Sequence, residues 1–159
     1  MTEQQILQAR AASRIYEHDG EALLFEATVL LVEEIDGGYA IELDRTVFFP
    51  GGGGQSADTG VLCFGSTELR VSACELDGRV VCISERPIPV GTHVTGEVDA
   101  RPRLSRMQSH TGEHIISGIA HRMFGCENRG FHMSENEDGT VCFFTVDTDR
   151  ELTEENIRD

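Results

Sequence analysis

Short apolar runs broken by Asp-Gly turns fill most of the first hundred residues, and they leave little choice of architecture. Asp36-Gly37-Gly38 separates Leu23–Ile35 from Tyr39–Leu43, and Asp77-Gly78 separates Leu69–Leu76 from Arg79–Ile83. Asp-Gly takes up positive φ at low steric cost, so each pair is suited to closing a hairpin. With Gly60–Phe64 and Thr92–Val98 this predicts about six strands, at the spacing of a small barrel or sandwich. Residues 1–99 therefore read as an all-β module that carries a Gly-rich loop.

The pattern changes at Ala100. Asp99 can serve as an N-cap, and Pro102 fits a first helical turn, where a missing N–H costs little. Leu104, Met107, Thr111, Ile115, Ile119 and Met123 recur at steps of three and four up to Gly125, a natural helix terminator. The spacing predicts one amphipathic helix over 102–124. Gly130–Ser134 and Thr140–Val146, on either side of Glu137-Asp138-Gly139, predict a further hairpin. Leu152 and Ile157 flank Thr153 as a hydrophobic staple flanks an N-cap, so another helix is expected to open there. A helix of about six residues does not hold by itself, and this element is expected to run on past Asp159.

A chain of 159 residues holds one compact domain, or a small one with part of another. No apolar run approaches the roughly 20 residues that span a bilayer, and the N-terminus lacks a signal pattern, so a cytoplasmic address and no membrane partner are expected. Five cysteines without a Cys-x-x-Cys pair read as reduced and mostly buried. A net charge of −15 opposes a general nucleic-acid binder. Yet five of the 13 basic residues, all arginine, fall within 101–129, while 133–159 carry nine acids. A local basic patch on an acidic body can hold one nucleic-acid end; a solvated Arg-rich helix face is the plainer reading.

His110-Thr111-Gly112-Glu113-His114 sets two imidazoles one turn apart on the predicted helix, about 6 Å along its axis. Two nitrogens so placed can share one zinc ion at ~2.0 Å each, or form only a polar stripe. His121 lies ~10 Å further along and cannot join them. Glu113 adjoins the second histidine and is expected to point about 100° away from it, which makes it a poor general base. Upstream, Gly51-Gly52-Gly53-Gly54-Gln55 lets backbone approach a ligand closely, with the Gln55 amide at its edge. It lacks the Gly-Lys-Ser/Thr ending of a P-loop, and a flexible loop is the competing reading.

Taken together, Asp44-Arg45-Thr46-x-Phe48-Phe49-Pro50, the glycines, Gln55, Asp58-x-Gly60, Ser109 through Ile116, and Gly130-Phe131-His132 closely resemble the editing regions of alanyl-tRNA synthetases. They resemble likewise the free-standing AlaX-type proteins, which edit in trans and are the first reading of this chain, and the match covers about residues 21–159. The resemblance implies an α+β fold: a small N-terminal β-barrel module in 1–99, then the truncated beginning of a two-layer α/β editing domain in 100–159. It implies hydrolysis of seryl or glycyl esters of alanine tRNA, with the mischarged acceptor end as partner.

The same resemblance implies zinc on His110 and His114, completed by a Cys-x-x-x-His pair. No such pair occurs in this sequence, so two ligands are expected beyond residue 159 and the 159-residue chain is expected to be inactive by itself. Gly52, Gly53, Gly54, Gln55, Thr111 and His132 are the expected substrate-binding residues, Gln55 foremost as a polar partner for a serine hydroxyl; no catalytic side chain is singled out. The edge of an unfinished sheet is expected to recruit a second copy as a homo-oligomer. Three other readings stand beside this one. The chain is an editing segment of a full synthetase, or it is a tRNA- or protein-binding fragment without activity. The third is the editing domain of threonyl-tRNA synthetase, which shares the His-x-x-x-His helix but not the Gly-rich segment.

Overall fold

The computed structural model describes residues 13–153. Its elements run β1 (Leu24–Ile35), β2 (Gly38–Leu43), β3 (Thr59–Phe64), β4 (Thr67–Leu76), β5 (Arg79–Ser84), β6 (His93–Val98), α1 (Ala100–Phe124), β7 (Asn128–Glu135) and β8 (Val141–Thr148). These make an α+β chain whose N-terminal part is a barrel. The described residues form two compact units, one reaching Gly51 and resuming over Ala57–Ala100, the other made of Gly52–Ser56 and the residues from Arg101 onward. The tip of the Gly-rich loop, read from sequence as part of the barrel module, thus groups with the second unit.

In the first unit six antiparallel strands close in the order β1-β2-β5-β4-β3-β6. Closure depends on the length of β1. Its first half, Leu24–Thr28, pairs with β6, its second half pairs with β2 up to Ile35, and the register shifts between Val29 and Leu31. Such a bulge bends the strand and re-aims it from one neighbour to the other. At the β4–β5 turn Asp77 and Gly78 both take positive φ, 50° and 74°, as the Asp-Gly signal requires. Alternate residues of the strands fill the interior, among them Phe25, Val29, Ile41, Leu62, Val71 and Val94. Phe25 and Phe48 meet edge to face at 5.6 Å, a geometry that adds to the area they bury.

The Asp-Arg-Thr segment is part of this scaffold. The backbone N–H of Thr28 donates to the Asp44 carboxylate at 2.8 Å, and that of Phe48 donates to Thr46 Oγ1 at 3.0 Å. The Phe48 ring is fully buried in the core. The Phe49 N–H donates to Asp58 Oδ2 and the Asp58 N–H to the Phe49 carbonyl, both at 2.8 Å. These bonds tie off the stem from which the glycines emerge.

In the second unit α1 packs on the β7–β8 hairpin. Val141 N–H donates to Ser105 Oγ, and the buried Arg106 guanidinium donates to both oxygens of Glu135 at 3.0 and 2.8 Å. Gly125 ends the helix at φ 65°, its N–H on the His121 carbonyl. The expected apolar face, however, is not the covered one. Leu104, Ile115, Ile119 and Met123 are each more than half exposed, whereas Pro102, Arg103, Arg106, Glu113 and Ala120 are buried. At 100° per residue these two sets lie roughly opposite each other. The hairpin covers the polar side because that side carries the groups its strands bind.

Two further expectations change. Of the five cysteines only Cys82 and Cys126 are buried. The clustered arginines do not form one cationic face: Arg103 and Arg106 are buried, and the exposed Arg101 and Arg122 stand 21 residues apart, about 30 Å along the helix. Asp99 precedes the helix, and its carboxylate also accepts from Thr59 and Arg70 of the barrel. The helix expected around Thr153 lies outside the described residues.

Candidate metal centre

The site is assembled wholly within the second unit, from the Gly-rich tip, α1 and β7. Gly52 and Gln55 exchange both backbone hydrogen bonds at 3.0 Å. They enclose a two-residue turn in which Gly53 and Gly54 take φ of 59° and 82°. Both central residues are left-handed, the arrangement of a type I′ turn. A Cβ at Gly54 would stand 2.5 Å from the Phe131 ring, and one at Gly53 would stand 3.6 Å from His110 Cε1. Glycine is required at the first for space as well as for backbone, and the turn is pressed onto the imidazole.

On α1 the two imidazoles lie nearly parallel, with centroids 4.9 Å apart and planes at 24°. Phe131 of β7 also stacks on His110, at 5.6 Å and 27°, and Phe144 of β8 meets Phe131 edge-on. His110 Nδ1 is hydrogen-bonded to Gln55 Oε1 at 3.0 Å. His114 Nδ1 lies 3.3 Å from Glu113 Oε2. Glu113 is itself buried, and its Oε1 accepts from Ser117 Oγ and Asn128 Nδ2. Ligand atoms of His110, Glu113 and His114 all fall within 4.8 Å of one another, a set that a small divalent cation can draw together.

The structure brings His110, His114, Gly53, Gly54 and Gln55 together and leaves two of the expected residues outside. His132 is exposed and faces Asp147, its Nε2 3.3 Å from Oδ2, because alternate strand residues point to opposite sides and Phe131 takes the inner one. Thr111 is exposed and donates its hydroxyl to the Met107 carbonyl. Gly52 contributes through its backbone. Sequence reasoning weighed Glu113 only as a general base and gave Phe131 no place in the site. A signal for Glu113 was present: Arg106, Glu113 and Ala120 repeat at seven residues, two helical turns, and mark the covered stripe. The 100° offset from His114 holds at Cβ, but the longer glutamate side chain spans it.

No protein-family model matches the chain. Over 113 residues, 70% of the chain, it is 42% identical to the alanine–tRNA ligase of Pyrobaculum neutrophilum. Over 117 residues, 71% of the chain, it is 43% identical to that of Thermofilum pendens, and over 114 residues 37% identical to that of Pyrococcus furiosus. In each case the chain spans 12% of the relative's length. Among the described residues no helix is long and apolar enough to cross a membrane. The chain is thus related to one segment of the alanine–tRNA ligases.

Proposed function

We propose that this segment belongs to a cytoplasmic aminoacyl-tRNA deacylase that removes serine or glycine from mischarged alanine tRNA, and that His110 and His114 hold its zinc ion. The observation that carries this reading is the near-parallel imidazole pair with Gln55, on a glycine turn, bonded to one of its rings. Donor type and spacing fit zinc, which takes neutral imidazole nitrogens readily. When bound, zinc supplies Lewis acidity toward an ester carbonyl or an attacking water.

The chain's own residues supply position and selectivity. Gly53 and Gly54 let the turn lie against His110 and Phe131, with its backbone offered to the 3′ end of the tRNA. The Gln55 carbonyl is engaged by His110, which leaves its amide N–H₂ to meet a serine hydroxyl. A site that hydrogen-bonds this hydroxyl disfavours alanine, whose methyl leaves the amide unpaired. Thr111 and His132 are second candidates for contact with the tRNA end, since both are exposed. The zinc set is completed by a Cys-x-x-x-His pair from outside the 159 residues. Editing in trans and editing as part of a synthetase both accord with this site. The kinship with alanine–tRNA ligases favours the second as an alternative. The open edges of the two-stranded β7–β8 sheet suit pairing with a second copy.

The test offers seryl-, glycyl- and alanyl-tRNA to the full gene product and follows release of the amino acid. Serine or glycine is expected to leave faster than alanine, and His110→Ala with His114→Ala is expected to lower the rate by about 100-fold or more. Equal rates for the three esters, or an unchanged rate in the double variant, remove the assignment.

A further inference from the structure

We infer that Glu113 and Gln55 are positioning residues that hold His114 and His110 in one and the same tautomer, Nδ1 protonated, so that both rings offer Nε2 to a shared cation. The inference rests on the metal-site reading above. At His110 the partner of Nδ1 is the Gln55 carbonyl oxygen at 3.0 Å, which can only accept. At His114 the group facing Nδ1 is a carboxylate oxygen at 3.3 Å. Glu113 is 2% exposed, and its other oxygen is already taken by Ser117 and Asn128. A buried carboxylate is costly unless its remaining oxygen also meets a donor, and the His114 ring, whose Nδ1 lies 3.3 Å away, can turn its N–H to supply one. Once Nε2 donates to a cation the ring N–H becomes more acidic and its bond to the carboxylate stronger. In this way a carboxylate behind an imidazole raises metal affinity.

Orientation follows from the same contacts. The backbone N–H of Gly130 donates to Asn128 Oδ1 at 2.9 Å, which turns the Asn128 N–H₂ toward Glu113. In Glu113→Gln, a near-isosteric change, the new carbonyl is therefore held by Asn128 and Ser117, and the new N–H₂ faces His114 Nδ1. Nδ1 must then accept, and the proton moves to Nε2.

Long-range ¹H–¹⁵N correlation spectra of the metal-free chain, at a pH where both rings are neutral, read these states directly. Both rings are expected with the proton on Nδ1. Glu113→Gln is expected to move the proton of His114 to Nε2 and leave His110 as it was, with zinc affinity weakened by about 10–100-fold in competition against a chromophoric chelator. Gln55→Ala is expected to mix the tautomers of His110 alone, and Gln55→Glu, which keeps the acceptor, to restore it. An Nε2–H form of either ring in the unaltered chain overturns the inference. So does a His114 tautomer indifferent to Glu113→Gln, which makes Glu113 a direct ligand or a purely structural acid. Spectra as expected from a protein without deacylase activity remove the functional assignment and leave this inference standing.

Discussion

Gly54 shows how much a single position decides. Its φ of 82° and the Phe131 ring directly beneath it exclude any side chain, while Gly53, at φ 59°, has ordinary contact distance to His110. Gly53→Ala is expected to cost about 1 kcal/mol, the strain of a left-handed residue. Gly54→Ala is expected to cost about 3 kcal/mol and to separate the turn from Phe131. Chemical denaturation of the two variants, with the His110 ring resonances as a local probe, checks the order. The Arg106–Glu135 pair carries a second prediction. The guanidinium beside it holds the Glu135 carboxyl below its ordinary 4.5. A depressed carboxyl contributes stability above its unfolded value and loses it as pH falls through the folded one. Glu135→Gln should therefore flatten the acid limb of the second unit's stability profile. Arg106→Ala, which leaves the partly exposed Glu135 carboxylate with Ser56 as a remaining donor, should cost about 1–3 kcal/mol at neutral pH. Burial pushes the Cys82 thiol up to about 12, so thiol reagents should spare it in the folded chain and modify the exposed Cys142.

At the scale of elements, α1 departs most from its sequence pattern. Its apolar stripe of Leu104, Ile115, Ile119 and Met123 is open among the described residues, and its covered stripe is largely polar. Burial of a side chain stabilises only if it leaves water, so replacing these residues should matter little to this chain's stability. Ile115→Ser with Ile119→Ser is expected to shift the unfolding free energy by less than about 0.5 kcal/mol. It should also reduce binding of a hydrophobic dye and any concentration-dependent association seen by sedimentation. The barrel strands obey their pattern instead, because each has neighbours on both sides and a closed interior to fill.

Across the whole molecule the two units differ in what holds them. The barrel encloses a contiguous apolar cluster, while Pro102, Ala120 and Cys126 are the buried apolar residues of the second unit among those described. Hydrogen exchange should accordingly divide the chain, with amides of β2, β4 and β5 protected at least about 100-fold more strongly than those of β7, β8 and α1. The site is built on the unit with the fewer buried apolar residues, in which aromatic stacking and hydrogen bonds stand in for a core.

The sequence by itself determined the six strands, the Asp-Gly turns, the helix with its glycine stop and the second hairpin. These are local matters, set by side-chain alternation, by φ at single glycines and by helical pitch. Tertiary structure decided which side of α1 is covered, that Phe131 rather than His132 stacks on the imidazole, and that a buried Glu113 stands behind His114. Those outcomes depend on which surfaces meet, and periodicity describes a surface without naming its neighbour.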